Sequence, residues 1–242
     1  DDGHRVHVAH GFQSACLADA QTLMATAVPF LAGAANPAGT LYTVERSTAD
    51  ANAAIAAAAA AAAKMVDATC SLPYASHACT EVLNCTVDCV AGVRCEVRAP
   101  TQTAKSALSL IGTLTGLPSD KIILHTTYLG GGLGLKAEQD FISQAVQVGM
   151  ALQRPVQLMW PRKGDFTLDR QLPMALISVR AGMDANACIA GWSYRNVSPS
   201  ILAQRRTVLG ATGDSQGYEA SQNLPYTFGS RRATAYLPST FG

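Results

Sequence analysis

Three consecutive glycines, Gly130-Gly131-Gly132, are followed by Leu133 and Gly134. They stand between a run that reads as a strand, Lys121 to Leu129, and one that reads as an amphipathic helix, Ala137 to Leu152. With no side chain over the triplet, backbone N–H groups can come within hydrogen-bond distance of a ligand. The helix N-terminus beyond it favours negative charge, so a phosphate or pyrophosphate is the natural guest. The same run also suits a tight strand-to-helix turn that holds nothing.

Familiar nucleotide motifs fit this loop unequally. A P-loop fails, because Lys136 is followed by Ala137 rather than Ser or Thr. A dinucleotide fingerprint can be read as Gly132-x-Gly134-x-x-Ala137, with Arg162 after the next strand as a partner for a 2′-phosphate of NADP. Against it, the preceding hundred or so residues do not alternate strand and helix as that fold requires. A nucleophile-elbow pattern, Gly213-Asp214-Ser215-Gln216-Gly217, also occurs. Every histidine lies at or before His125, the wrong order for that hydrolase fold, so the pattern reads as a Gly/Ser-rich turn.

Along the chain, Arg5 to Ala9 reads as a strand, Ser14 to about Val28 as a helix, and the stretch to Gly39 as a loop. His4, His7 and His10 recur every third residue; on a strand His7 faces away from the other two, which argues for surface histidines over a metal site. Leu41 to Glu45 reads as a short strand. A Ser47-x-x-Asp50 box then starts an alanine-rich helix expected to run to about Asp67. Helix Thr103 to Thr115, with apolar positions Ala104, Ala107, Leu108, Ile111 and Leu114, ends at Gly116 and Pro118. The helix after the glycine loop is expected to bury Phe141, Ala145, Val148 and Leu152. Pro155 to Trp160, Met174 to Met183 and Ile189 to Asn196 read as strands, and the tail after Ser198 as mostly loop. The expected class is α+β, mixed sheets with packed helices.

Charge excludes one broad function. Lys plus Arg number 18 against 17 Asp plus Glu, a near-neutral balance that makes a poor binder of a nucleic-acid backbone, and no nucleic-acid partner is expected. No apolar run reaches the roughly 18 residues of a membrane-spanning helix. The chain begins at Asp1 without a methionine or signal peptide, which reads as a processed, truncated or partial polypeptide.

Seven cysteines leave at least one unpaired, and four of them fall between Cys79 and Cys95. The cluster lacks the paired spacing of a zinc site and reads mainly as small buried hydrophobes. From Leu83 the pattern alternates: Leu83, Cys85, Val87 and Cys89 against Asn84, Thr86 and Asp88, then Cys95 and Val97 against Arg94, Glu96 and Arg98. Placing Cys89 opposite Cys95 puts the apolar sets on one face, which predicts a hairpin in that register. An oxidising compartment could link the two sulfurs, although nothing requires it.

Three motifs in register carry a resemblance. They are His77-Ala78-Cys79-Thr80-Glu81-Val82-Leu83-Asn84-Cys85, then Ala99-Pro100-Thr101-Gln102, then the glycine loop with Glu138-Gln139-Asp140-Phe141. Together they resemble the molybdopterin-binding large subunit of the xanthine dehydrogenase/aldehyde oxidase family, nearest the bacterial isoquinoline 1-oxidoreductase and membrane-bound aldehyde dehydrogenase branch. The similarity runs from about Leu41 to Phe228. It implies a partial molybdopterin-binding domain over 41–242, preceded by the strand, helix and loop read over 1–40.

The resemblance also implies roles. Gln102 would hydrogen-bond the oxo ligand of molybdenum, and the backbone of Gly131, Gly132, Leu133 and Gly134 would lie against the cofactor. No side chain of this chain would ligate the metal. The cofactor implied is molybdopterin cytosine dinucleotide with molybdenum. The reaction would be attack of a molybdenum-bound hydroxide on an aldehyde, or alternatively an N-heterocycle, with hydride transfer. Electrons would leave through the 2Fe-2S clusters of an iron–sulfur small subunit, with a cytochrome c subunit as a further partner. The branch implies a periplasmic location, or the periplasmic face of the inner membrane, with the cytoplasm as the alternative.

This sequence departs from the family pattern in places. Leu133 stands for the usual Phe, Leu135-Lys136 for a basic pair, Val82 for a Pro, and Arg162-Lys163-Gly164-Asp165 for a more acidic run. The family's carboxylate base lies beyond the segment matched here. These residues would therefore hold part of a cofactor but not complete a turnover without a further segment or partner chain. A non-catalytic structural subunit of such a complex is the alternative.

Overall fold

The computed structural model describes residues 39–45, 50–61, 64–205 and 213–238. The chain divides into two compact units, one formed by Asp1–Tyr74 with Pro173–Gly242 and the other by Ala75–Leu172. The expected strand at Arg5, the helix from Ser14 and the three early histidines lie outside the described residues.

In the first unit, β1 (Gly39–Glu45), β2 (Met65–Leu72), β7 (Ala175–Met183), β8 (Ile189–Val197) and β9 (Phe228–Pro238) form one sheet, in the order β1-β9-β8-β7-β2. Only the β8–β9 pair is parallel. Helix α1 (Ala51–Ala60) is capped by Asp50, whose carboxylate accepts from the Asn52 amide at 2.8 Å. Its buried residues Ala51, Ile55 and Ala58 meet the sheet where β7 and β8 carry Gly182 and Gly191. A Cβ on Gly182 would stand 2.6 Å from that of Ala58, so small residues on both sides are what bring helix and sheet together.

Two expectations are corrected here. The alanine helix ends at Ala60 rather than near Asp67, and Met65–Leu72 pairs residue for residue with β7. Val66 and Thr69 are β-branched, and a full ladder with β7 outweighs the helical pull of the preceding alanines. The tail is not mostly loop: β9 is an eleven-residue strand lying between β1 and β8. The elbow-like pattern is a turn organised by buried Asp214, whose carboxylate accepts from Ser200 Oγ at 2.7 Å, Leu202 N at 3.0 Å and Gln216 N at 2.9 Å.

In the second unit, β3 (Asn84–Val90), β4 (Arg94–Ala99), β5 (Ile122–Thr126) and β6 (Val156–Met159) lie in the order β5-β4-β3-β6. The hairpin register is the expected one, with Cys89 facing Cys95, and the two sulfurs are bonded. Helices α2 (Ala104–Thr115) and α3 (Asp140–Leu152) close one face of the sheet. The core joins Cys85, Val87, Val97 and Ile111 to Phe141, Ile142, Ala145 and Val146. Gly116 ends α2 in the left-handed region at φ +68°, its amide donating to the Gly112 carbonyl.

The buried stripe of α3 differs from expectation. Phe141, Ile142, Ala145, Val146 and Gly149 face inward, while Val148 and Leu152 are 40% and 49% exposed. The helix is rotated so that Gly149 lies against Val87, where a Cβ would come within 3.1 Å of Val87 Cγ1. In α2, Ala107 and Ile111 are buried but Leu108 is 40% exposed. The architecture is α+β, mixed sheets with packed helices.

Candidate cofactor site

The glycine loop links β5 to α3 through a short 3-10 turn at Leu135–Ala137. Gly130, Gly131 and Gly134 have φ of +57°, +88° and +102°, and Leu133 joins them at +50°. A left-handed path of this kind is one that glycine adopts freely and leucine does not. Gly131 and Leu133 are exposed, and the amides of Gly131, Gly132 and Leu133 have no hydrogen-bond partner among the described residues. Consecutive free donors of this sort form a concave nest for an anion or carbonyl.

A second reason for the glycines comes from the protein itself. Residues 77, 79 and 81 run beside the loop, each beside one alternate loop residue. Glu81 N donates to the Gly130 carbonyl at 2.9 Å, and the Cys79 thiol donates to the Gly132 carbonyl at 3.3 Å. The His77 ring edge lies 3.7 Å from the position a Cβ on Gly134 would occupy. A Cβ on Gly130 would fall 2.4 Å from that of Glu81, and one on Gly132 only 2.6 Å from Gln102 Oε1. At Gly130 and Gly132 the space a side chain would take is thus already filled, whereas at Gly131 and Gly134 a Cβ would make only ordinary contact.

Gln102 is the residue brought onto the loop from afar. Its main-chain N–H donates to the Lys136 carbonyl at 2.9 Å, which the Thr101 hydroxyl also approaches at 3.3 Å. The side-chain oxygen of Gln102 accepts from Gly134 N at 3.1 Å. An N–H donor there fixes which end of the amide is oxygen, and leaves the exposed Nε2 without a partner among the described residues. An oxygen-rich ligand on the loop would meet that free donor.

Lys136 closes the base of the loop. Its side chain is fully buried, and the ammonium donates to Glu81 Oε2 at 2.9 Å and to the Leu129 carbonyl. Burial pushes the Cys79 thiol above its usual range despite the pull of Lys136, and the charges of Asp165 and Asp169 push the same way. Cys79 therefore stays a neutral donor to Gly132. His77 is held from the other side: its Nδ1 lies 2.8 Å from Asp169 Oδ1, while His77 N and Ser76 Oγ both donate to Oδ2. Burial alone would raise the Asp169 carboxyl, but these hydrogen bonds outweigh it and hold it below its ordinary value.

Gln102, Gly131, Gly132, Leu133 and Gly134 thus come together as the sequence reading grouped them. Leu133 is 66% exposed at the tip. Four residues had been given no role: Lys136, Glu81, His77 and Asp169. Lys136 carried a readable signal, a charge set between Leu135 and Ala137 that demands a partner if buried. Asp169 carried none. Arg162, considered for a 2′-phosphate, donates to the carbonyls of Cys79 and Thr80, pairs with buried Asp165 and lies over the Phe166 ring. The strands before and after the glycine loop, β5 and β6, also occupy opposite edges of the sheet rather than lying side by side as in a dinucleotide fold.

A two-layer α+β unit with a glycine loop of free amides and a glutamine amide aimed across it defines a cofactor-binding domain. The profile of the molybdopterin cofactor-binding domain matches residues 37–200, and the chain belongs to that family. It is similar to the membrane-bound aldehyde dehydrogenase [pyrroloquinoline-quinone] of Gluconacetobacter polyoxogenes, 29% identical over 101 residues, covering 41% of this chain and 13% of that protein. In fold it is similar to the aldehyde oxidoreductase of Desulfovibrio gigas, with a TM-score of 0.63 at 14% identity, over 82% of this chain and 21% of that one. The CO dehydrogenase of Oligotropha carboxidovorans matches with a TM-score of 0.60 at 13% identity, over 82% of this chain and 24% of that one. The chain spans a quarter or less of the length of these relatives.

Proposed function

We propose that this chain holds part of a molybdenum–pterin cofactor within an oxidoreductase that acts on an aldehyde, with an N-heterocycle as the alternative substrate. The carrying observation is Gln102: its carbonyl is taken by Gly134 N, so its free amide presents a donor across the loop. The unpaired amides of Gly131, Gly132 and Leu133 add acceptor-seeking groups beside it. That donor set fits a cofactor rich in oxygen acceptors, and Gln102 with Gly131, Gly132, Leu133 and Gly134 would hold it.

The bound cofactor supplies the redox-active metal centre at which substrate is oxidised. What this chain contributes is placement. Gln102, its oxygen held by Gly134 N, would offer Nε2 as a donor to the cofactor, the loop main chain would lie against it, and buried Lys136 ties the base of the loop to Glu81 and the Leu129 carbonyl. Among the described residues no cluster of three His, Cys, Asp or Glu side chains could hold a metal ion. The cytosine dinucleotide form, a 2Fe-2S small subunit and a cytochrome c subunit as electron acceptors belong to the same proposal. So does the need for a further segment or chain to supply the catalytic base.

Location follows the same reading: periplasmic, or the periplasmic face of the inner membrane. The name of the Gluconacetobacter relative supports association with a membrane, and a cross-strand disulfide suits an oxidising compartment. No helix among the described residues is long and apolar enough to cross a membrane.

Metal and cofactor analysis of the purified assembly tests the proposal. Molybdenum with a pterin in stoichiometric amount supports it. Pyrroloquinoline quinone without molybdenum, the cofactor in the relative's name, would overturn it. Gln102→Ala should slow turnover while most cofactor stays bound, whereas Gly132→Val should expel cofactor, because the bulky side chain and the Gln102 carboxamide it pushes aside would take the space against the loop that the cofactor needs.

A further inference from the structure

Helices α2 and α3 each begin at a residue whose side chain does not cap its own helix. Thr103, at the start of α2, is of a type that favours capping, yet its hydroxyl donates instead to the Ala137 carbonyl at 3.0 Å. Gln139, at the start of α3, turns to the same place. Its Nε2 donates to the Ala137 carbonyl at 2.7 Å and to Thr103 Oγ1 at 2.6 Å. A carbonyl only accepts, which fixes that end of the Gln139 amide as nitrogen. The two helix starts are thus joined to one another around a single carbonyl, and Gln102 stands immediately before one of them. Its own N–H donates to the Lys136 carbonyl at 2.9 Å, while the Thr101 hydroxyl accepts from Thr103 N at 3.1 Å. The turn that receives these bonds is closed within itself, Ala137 N donating to the Gly134 carbonyl at 3.1 Å. Gly134, at its head, supplies the N–H that holds the Gln102 side-chain oxygen. Main chain and side chain of Gln102 therefore hang from the two ends of one short turn.

We propose that Thr103 and Gln139 are a positioning pair for Gln102. Their tie to the Ala137 carbonyl sets how residues 101–103 stand against residues 134–137, and so whether the Gln102 carboxamide reaches Gly134 N. That last bond is 3.1 Å long, near the upper end of the usual range, and a shift of about half an ångström breaks it. With the pair in place, the carboxamide is held by its oxygen. Without the Thr103 hydroxyl, the Ala137 carbonyl loses one donor and Gln139 loses the acceptor that directs it, so the segment carrying Gln102 is free to move off the turn. The consequence for turnover rests on the reading of Gln102 given above; the consequence for the loop does not.

The test is made on the purified assembly with Thr103→Val, Thr103→Ser and Gln139→Leu, read first by amide hydrogen exchange resolved to single residues. Thr103→Val keeps the shape and loses the hydroxyl. Exchange at the Gln102 and Gly134 amides should then speed by roughly tenfold, with the Ile111 amide in the same unit unchanged. Gln139→Leu removes one side of the tie and should speed the same two amides by less. Thr103→Ser keeps the hydroxyl and should restore the protection of the wild type. Because Gln139 acts through Thr103, combining Thr103→Val with Gln139→Leu should loosen Gln102 by less than the product of the separate effects. In Thr103→Val, kcat should fall severalfold while KM and molybdenum content hold.

Wild-type exchange at Gln102 and Gly134 in a folded Thr103→Val protein would overturn the proposal. So would a Thr103→Ser protein that exchanges as fast as Thr103→Val, because the methyl group and not the hydroxyl would then matter. Loss of protection that extends equally to Ile111 would also sink it, since the pair would then support the whole unit rather than one residue. If Gln102 and Gly134 respond as described but the wild-type assembly carries no molybdenum, the cofactor reading fails and the positioning role stands.

Discussion

The ammonium of Lys136, on a side chain with no exposed surface, donates to Glu81 Oε2 at 2.9 Å across the base of the glycine loop. The pair is asymmetric, since the Glu81 side chain is 43% exposed and can be rehydrated if its partner is lost. Lys136 cannot, and it also holds the Leu129 carbonyl.

Lys136→Met is therefore expected to lower stability by about 1–3 kcal/mol, chiefly by leaving the Leu129 carbonyl short of a donor. Glu81→Gln keeps a hydrogen-bond acceptor but strips the buried ammonium of its counter-charge, and should be at least as damaging. Chemical denaturation of the three proteins and the double variant measures this. A double variant more stable than Glu81→Gln alone supports the buried-charge account, and strict additivity argues against it.

Two loop glycines should respond differently to alanine. Gly130 has both a positive φ and a Cβ position 2.4 Å from Glu81 Cβ, so Gly130→Ala should destabilise by roughly 1–3 kcal/mol. At Gly132 the obstacle is the flexible end of Gln102, 2.6 Å away, so Gly132→Ala should displace that side chain and leave the melting temperature nearly unchanged. A Gly132→Ala protein that melts as early as Gly130→Ala would contradict the assignment.

Acid stability should report Asp169. Its carboxyl lies below its ordinary value in the folded chain, because the hydrogen bonds from His77 and Ser76 outweigh its burial. A depressed folded value means that the carboxylate contributes its full stabilisation above the unfolded value of about 3.9, and loses it as pH falls through the lower folded value. Wild type should therefore lose stability more steeply below pH ~4 than Asp169→Asn does. Parallel acid-unfolding curves for the two proteins would rule this out.

Thiol reactivity should sort by burial. Burial pushes the Cys85 thiol up to about 12, and Cys79 is raised for the same reason, whereas Cys70 and Cys188 are exposed. Alkylation of the native protein near neutral pH should label Cys70 and Cys188 and spare Cys79 and Cys85 until denaturant is added. Peptide mapping by mass spectrometry reads this directly. The same map should find Cys89 and Cys95 blocked until reduction, and their joint replacement by alanine should cost about 2 kcal/mol for so short a loop.

Elements with an unambiguous period were legible in the amino acids. The hairpin is the clearest case: alternation from Leu83 to Cys89 and again from Cys95 to Val97 favours a register that puts both apolar sets on one face, and Cys89 faces Cys95 accordingly. Helix α2 stops at Gly116 because a left-handed glycine stop is local, whereas the Thr103 hydroxyl at its start caps nothing and instead reaches the Ala137 carbonyl. The glycine run and Gln102 could also be picked out, since a chain has few reasons to strip side chains from successive residues.

What the sequence by itself determined, then, was local: periods, caps, and the stretch where backbone stands bare. Tertiary structure decided everything that depends on a distant partner. Met65–Leu72 became a strand because β7 offered it a complete ladder, against the helical preference of the alanines before it. Helix α3 turned its Gly149 face inward because Val87 left no room for anything larger. Asp169 acquired a role only when the fold carried it 92 residues back to His77. The physical reason is common to all three: local preferences amount to tenths of a kcal/mol per residue, while pairing and packing across the fold sum to far more and select among them.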